Sequence, residues 1–241
     1  MKTRNGYTNY GQDIGILMLE TTFPRIIGDM GNARTFNFPV KYRVVRNVFE
    51  DKRLPSDANE LLLQAFIKAA KDLESEGCLA ITTSCGFLAG FQRELADAVN
   101  IPVFTSVLTM VPMIYTMINR TRSIGIFTER KELMTDYLFQ KTGWSSQDIP
   151  VHVSGLPEDS DFGKMVIREK DGSFDGIQDN IIAMCQSHMK AYPETGAIVL
   201  ECQNFAPYGQ LIQDICGVPV FGMNQYIEFI ESCIQYTTYE S

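Results

Sequence analysis

Short apolar segments rich in β-branched residues recur along the chain, and stretches with the periodicity of helices separate them. Over 57–74, for example, apolar residues recur every three or four positions, which places them on one face of a helix. Asp57, with Glu60 three residues later, predicts a capped start for this helix. The predicted strands are 14–19, 42–48, 79–83, 102–105, 123–128, 150–153, 197–200 and 219–221.

These apolar segments are continuously hydrophobic and do not alternate with polar residues. Strands of this kind are typical of parallel sheets, because crossover helices cover both faces of such a sheet. Strands that alternate with helices along the chain point to the same arrangement. The fold class is therefore predicted to be α/β.

The segment 80–85, Ala-Ile-Thr-Thr-Ser-Cys, recurs in outline at 197–202 as Ala-Ile-Val-Leu-Glu-Cys. The match continues without a gap, and eight of the 25 positions from 80 to 104 are identical to their partners. We interpret this repeat as two pseudosymmetric lobes, each a mostly parallel sheet flanked by helices. The first lobe is expected to span 1–118 and the second 119–222, with a helix at about 223–241 packing back on the first lobe.

The chain has 241 residues, 45% of them apolar, and a formal net charge of −8. It has no run of Lys or Arg longer than two, which argues against a nucleic-acid partner, since binding to phosphates needs clustered positive charge. No apolar segment reaches the roughly 20 residues of a membrane span, and none near the start resembles an export signal. We therefore expect a cytoplasmic protein with no membrane partner.

The six cysteines include no C-x-x-C pair, and they are too sparse for a secreted disulfide scaffold. Two of them, Cys85 and Cys202, occupy equivalent positions of the repeat, directly after a strand and before a helix. Ligands of parallel sheets bind beyond the carboxyl ends of the strands, so both thiols should lie at the site. The start of a helix favours anions, and we expect it to lower the pKa of each thiol. By contrast, Cys185 and Cys233 lie within helical patterns and are expected to be core thiols.

On these residues the chain resembles the aspartate/glutamate racemase superfamily, which includes aspartate, glutamate and hydantoin racemases and related isomerases, decarboxylases and lyases. The resemblance covers essentially the whole chain and depends on the segments 82–87 (Thr-Thr-Ser-Cys-Gly-Phe) and 201–208 (Glu-Cys-Gln-Asn-Phe-Ala-Pro-Tyr). It implies an active site in the cleft between two lobes, with no cofactor and no metal. It also implies a small carboxylate-bearing substrate, and we expect a homodimer or a higher homo-oligomer.

The resemblance implies that Cys85 and Cys202 are the catalytic pair and face each other across the cleft. One thiolate removes the proton next to a carboxylate while the opposite thiol supplies one to the other face. Donors are expected to stabilise the resulting carbanion. We expect the substrate-binding residues to be Arg25, Thr83, Ser84, Gly86, Phe87, Thr128, Gln203 and Asn204.

The chain also departs from the glutamate racemases of the superfamily. Asn204 stands where they have a histidine, and Gly86-Phe87 replaces their Asn-Thr. The first hypothesis is a cofactor-independent racemase or epimerase acting on an amino acid or a hydantoin-like substrate. The second is a lyase or isomerase similar to the dimethylsulfoniopropionate lyase branch, which the Gly-Phe pair favours. The third is a two-lobed protein that binds a ligand without catalysis.

Overall fold

The computed structural model describes residues 6–46 and 60–236. Within these ranges the chain forms eight strands, seven α-helices and several shorter helical turns. The strands are β1 (Ile14–Leu19), β2 (Val40–Val45), β3 (Ala80–Thr83), β4 (Val103–Phe104), β5 (Ser123–Thr128), β6 (Val151–Gly155), β7 (Thr195–Leu200) and β8 (Val220–Phe221). The helices are α1 (Glu60–Ser75), α2 (Gln92–Ala98), α3 (Val111–Met117), α4 (Asp136–Lys141), α5 (Phe174–Ala191), α6 (Gly209–Cys216) and α7 (Met223–Ile234).

The strands form two four-stranded sheets with the same topology, β2-β1-β3-β4 and β6-β5-β7-β8. All the strand pairs in the described part of the chain are parallel. Even the register repeats, because Ile81 pairs with Val103 and Ile198 pairs with Val220, the equivalent residues of the two halves. The predicted α/β class and the two pseudosymmetric lobes are therefore confirmed.

Both faces of each sheet are buried, which explains the continuous hydrophobicity of the strands. In β1, Ile16 points into a core that the two lobes share, whereas Leu17 packs on the opposite face against α1. In β5, Ile126 enters the same shared core and Phe127 packs on the opposite face against α5. The molecule thus has an apolar layer on the outer side of each sheet and a third apolar layer between the lobes.

The structure contains a strand at each of the eight predicted positions, with ends that differ by a few residues. The largest difference is at β2, which begins at Val40, and the predicted end of this strand lies outside the described residues. Helix α1 is confirmed from Glu60 onward, whereas its predicted cap, Asp57, lies outside the described residues. Among the helices that are described, none is both long and apolar enough to cross a membrane.

Helix α7 contacts elements of the first half of the chain. The ring of Tyr226 packs on Phe104, with the ring centroids 4.9 Å apart, and the hydroxyl of Thr109 donates to the Tyr226 hydroxyl over 3.2 Å. The side chain of Asn224 donates to the carbonyl of Gly28 over 2.8 Å. The lobe boundary near residue 118 remains a prediction.

Gly125, in the middle of β5, provides a test of how tightly the second lobe is packed. A Cβ atom at this position would lie 2.6 Å from both the His188 Nε2 atom and the Ile198 side chain. We expect Gly125→Ala to lower the free energy of unfolding by about 1–3 kcal/mol, because both neighbours are buried. Gly209→Ala is the matched control, since a Cβ atom there meets nothing within 4 Å. Chemical denaturation measures both, and an equal effect of the two substitutions would contradict the packing described here.

Candidate active site

A cavity of about 270 Å³ lies between the two lobes, at the carboxyl ends of their central strands. The residues that follow β1 and β3 line it from the first lobe, and the residues that follow β5 and β7 line it from the second. This is the position at which open parallel sheets bind ligands. The lining consists of segments 19–23, 84–87, 129–130, 166–167 and 201–204, together with Arg25 and Glu169.

Cys85 and Cys202 line this cavity from opposite lobes. Each cysteine precedes a short 3₁₀ turn, Gly86–Phe91 in the first lobe and Gln203–Tyr208 in the second. The backbone N–H groups two residues after each cysteine, in Phe87 and in Asn204, act to lower the pKa of the thiol, but neither caps the sulfur with a hydrogen bond. The two predicted catalytic residues thus have equivalent backbone surroundings and share one cavity.

The predicted lowering of the thiol pKa values is wrong. The N–H groups do act in that direction, but burial, together with the carboxyl groups of Glu201 and Glu129, raises the pKa of Cys85 to about 12 and that of Cys202 well above its ordinary value. Loss of hydration and nearby negative charge therefore outweigh the donors at the start of each turn.

Glu201, the last residue before Cys202, is fully buried. The hydroxyl of Thr128 donates to its Oε2 atom over 2.5 Å, and burial raises the pKa of this carboxyl to about 8. The backbone and carboxyl oxygens of Glu201 lie directly against Gly86, where a Cβ atom would overlap them. Glycine is therefore required after Cys85 for the two lobes to meet at this point.

Arg25 lines the cavity, but a neighbouring carboxylate already holds its guanidinium group. Its Nη1 atom lies 2.6 Å from the Asp29 carboxylate, which is nearly fully buried, and its guanidinium stacks on the ring of Phe23. The side chain of Asn204 donates to the other oxygen of Asp29 over 2.8 Å. Asp29 thus connects the predicted residues Arg25 and Asn204 across the two lobes.

Arg130 is the second arginine at the cavity, and it is also paired. Its Nε atom lies 3.1 Å from the carboxylate of Glu129, and its guanidinium lies 5.0 Å from the centre of the Phe87 ring. Because Arg25 and Arg130 are both neutralised by carboxylates, neither provides uncompensated positive charge. The other carboxyl groups of the lining are those of Glu20, Glu169 and Glu201, and that of Glu20 lies 3.4 Å from the Arg46 Nε atom.

The structure brings most of the predicted substrate-binding residues together, but it places Thr83 and Thr128 elsewhere. Both are fully buried outside the cavity lining. The Thr83 hydroxyl donates to the carbonyls of Thr105 and Cys85, whereas that of Thr128 is used by Glu201. Since strand side chains alternate, these two threonines hold the strand ends in place and do not face a ligand. The residues that do line the cavity are Arg25, Ser84, Gly86, Phe87, Gln203 and Asn204.

One wall of the cavity was not predicted from the sequence. Val166 and Ile167, in a π-helical turn over Gly163–Ile167, line it together with Glu169. Glu169 has a left-handed backbone conformation, with φ of 49°, and its carboxylate accepts hydrogen bonds from the backbone and the hydroxyl of Thr22 in the first lobe. No sequence pattern indicated this wall. Glu129 and Arg130 could have been predicted as cavity residues, because they directly follow β5 and ligands of parallel sheets bind at the carboxyl ends of the strands.

Comparison with known proteins supports the assignment of the fold. Allantoin racemase from Klebsiella pneumoniae superposes with a TM-score of 0.60 at 19% identity, over 92% of this chain and 87% of that one. Unliganded arylmalonate decarboxylase superposes with a TM-score of 0.56 at 10% identity, over 94% of each chain. The chain therefore has the fold of the aspartate/glutamate/hydantoin racemase superfamily.

Among curated proteins, dimethylsulfoniopropionate lyase 7 of Emiliania huxleyi (strain CCMP1516) is 25% identical over 215 residues. The match covers 86% of this chain and 63% of the lyase, so the chain spans less than two thirds of that relative's length. No family model matches the chain. The proteins similar to this chain are thus enzymes: a lyase by sequence, and a racemase and a decarboxylase by fold.

The Asp29 ion pair can be tested against a surface pair of the same spacing. Arg25 and Asp29 are four residues apart, with side chains 15% and 4% exposed, whereas Arg93 and Asp97 have the same spacing and are 74% and 59% exposed. We expect Asp29→Asn to lower the free energy of unfolding by about 3 kcal/mol, since it leaves a partly buried arginine unpaired. Asp97→Asn should cost at most about 1 kcal/mol. Similar losses in urea denaturation would contradict a structural role for Asp29.

The raised thiol pKa values predict the order in which the cysteines react. The predicted core thiol Cys233 is in fact exposed, whereas Cys185 is buried. We expect iodoacetamide at pH 7 to label Cys233 first. Labelling of Cys85 and Cys202 should rise about tenfold per pH unit between pH 6 and 8, because the thiolate is the reacting form. Mass spectrometry of the peptides measures each site, with Cys185 as the unreactive control. Labelling of Cys85 at pH 7 as fast as that of Cys233 would refute the raised values.

Proposed function

We propose that this protein is a lyase that eliminates a neutral sulfide from a small carboxylate bearing a sulfonium group, of which dimethylsulfoniopropionate is the model substrate. The observation that supports this most directly is the pair Cys85 and Cys202 in one cavity, in a chain similar to dimethylsulfoniopropionate lyases. Because its pKa is raised, a thiolate at this position is a strong base for the proton next to a carboxylate.

The charge of the cavity is compatible with a substrate that carries a cationic group. Its two arginines are paired with Asp29 and Glu129, so neither presents an uncompensated positive charge to such a group. Two aromatic rings, those of Phe23 and Phe87, also line the cavity, and each already stacks with a guanidinium group. Aromatic faces attract cations, so these rings suit a sulfonium. The volume of about 270 Å³ suits a substrate smaller than a drug-sized ligand.

The backbone is the proposed binding site for the carboxylate of the substrate. The first N–H groups of a helical turn have no partner within the turn and attract anions. Two such turns, which begin at Gly86 and at Gln203, converge on the cavity from opposite lobes. This arrangement leaves no need for a free arginine to bind the carboxylate.

The proposed reaction is a β-elimination. The thiolate of one cysteine removes the proton next to the carboxylate, the carbon–sulfur bond breaks, and the sulfide leaves with the bonding electrons. A zwitterion and a thiolate thereby become a thiol, a neutral sulfide and an unsaturated carboxylate, so the total charge is unchanged. The second cysteine holds the substrate or assists the leaving group.

A racemase is the second candidate, because the two thiols line the cavity from equivalent positions of opposite lobes. Inversion at one carbon needs an acid and a base on its two faces, and this arrangement provides them. The two candidates differ in what they require of the second thiol. Inversion needs both thiols, whereas elimination needs one base.

The test is incubation in deuterated buffer with dimethylsulfoniopropionate, amino acids, hydantoins and diacids, for the wild type and for Cys85→Ser and Cys202→Ser. We expect release of dimethyl sulfide and acrylate, with one variant inactive and the other slowed about 100-fold. Gas chromatography and NMR spectroscopy measure the products. Cys233→Ser is the control, because this exposed cysteine lies outside the cavity and the variant should retain full activity.

Each other outcome contradicts the lyase proposal in a different way. A racemase would incorporate deuterium with inversion of the substrate and would form no unsaturated product. Both cysteine variants would then lose this incorporation. Neither turnover nor exchange with any of these substrates would favour a protein that binds a ligand without catalysis.

A further inference from the structure

Glu201 is close to both proposed catalytic cysteines. It directly precedes Cys202, and its carboxyl group rests on Gly86, the residue that follows Cys85. The side chain is fully buried. Its Oε2 atom accepts a hydrogen bond from Thr128, whereas its Oε1 atom has no hydrogen-bond partner among residues 6–46 and 60–236. A carboxylate would leave this oxygen charged and unsolvated, which is costly in a buried position.

The charged groups around Glu201 do not offset this cost. Glu129 and Arg130 face it from the end of β5, and these two side chains are paired with each other. From the other elements in the described part of the chain, the thiols of Cys85 and Cys202 face it. Desolvation is the main reason that the pKa of Glu201 rises to about 8, so the group is mostly neutral at pH 7.

The charge on Glu201 matters because it acts on both thiols. When this carboxyl is ionised, it raises the pKa of Cys85 and of Cys202, and it is the largest charged contributor for each. Like charges in a desolvated site do not ionise independently. A thiolate at either cysteine therefore competes with a carboxylate at Glu201 for the single negative charge that the site accommodates.

We propose that Glu201 is a positioning residue that holds a proton beside the two cysteines and thereby decides when either thiol can ionise. This proposal rests on the proposed function only in taking the two cysteines as the reacting groups. If Glu201 starts as a carboxylate, formation of a thiolate breaks the S–H bond and forms an O–H bond on Glu201, so the charge of the cluster stays at minus one. If Glu201 starts neutral, the thiol proton is released to solvent.

Competition of this kind has a distinctive dependence on pH. Below about pH 8 the thiolate fraction rises tenfold per unit, as for any thiol. Above about pH 8 it levels off, because each further proton is lost from Glu201 and not from a thiol. Removing the carboxyl charge should remove this plateau.

The test is the rate of iodoacetamide labelling of Cys85 and Cys202 from pH 6 to 10, measured by mass spectrometry on the folded protein without substrate. In Glu201→Gln, which keeps the shape but cannot ionise, we expect the rate to keep rising above pH 8. The labelling rate of this variant should be about tenfold higher than that of wild type at pH 9. At pH 7 the two rates should agree within about twofold. Glu228→Gln, an exposed substitution on α7, is the control and should follow the wild-type curve.

A second variant keeps the proposal testable if Glu201→Gln does not fold. Thr128→Val removes the hydrogen bond that lowers the pKa of Glu201, so the plateau should begin at a higher pH. Infrared spectroscopy gives an independent readout, the band of the neutral carboxyl group. We expect this band at pH 7 in wild type, its loss above pH 8, and its absence in Glu201→Gln.

The proposal is overturned if Glu201→Gln shows the wild-type plateau, or if it changes the labelling rate by the same factor at every pH. Either result would show a purely structural side chain. Because labelling requires no substrate, inactivity towards dimethylsulfoniopropionate would refute the proposed function and leave this proposal unaffected.

Discussion

The contact between Gly86 and the carboxyl group of Glu201 is the constraint on which the site depends. Each of these residues adjoins one of the two cysteines that line the cavity, and they come from different lobes. Because a Cβ atom on residue 86 would overlap Glu201, glycine is what permits this close approach of the lobes. The same contact shields Glu201 from water and thereby sets its protonation. The close approach of the two lobes and the raised pKa of Glu201 therefore both depend on this contact.

The duplicated architecture explains why the site lies where it does. Two sheets of identical strand order direct the ends of β3 and β7 into one cleft, and each strand is followed by a cysteine and a 3₁₀ turn. The symmetry ends with the next residues, since the first turn begins Gly86-Phe87 and the second Gln203-Asn204. Equivalent thiols in unlike surroundings suit a reaction in which the two have different tasks, as in an elimination.

Charge around the cavity is arranged so that the two arginines of the lining are each paired with a carboxylate. Arg25 and Arg130 are paired with carboxylates and stack on aromatic rings of the cavity lining. Such pairing is expected in a partly buried site, because an unpaired cation would be costly there. A ligand that enters thus meets aromatic faces, carboxylates and backbone N–H groups.

The amino-acid sequence by itself determined the eight strands, their parallel arrangement, the duplication and the position of Cys85 and Cys202 at one cavity. These features follow from local hydrophobic patterns and from the rule that parallel strands present ligands at their carboxyl ends. The direction of the thiol pKa shifts, the pairing of Arg25 with Asp29 and Asn204, and the wall formed by Val166 and Ile167 were decided only by the tertiary structure. Each depends on burial or on contacts between residues far apart in the chain, such as Asp29 and Asn204, which no local pattern records.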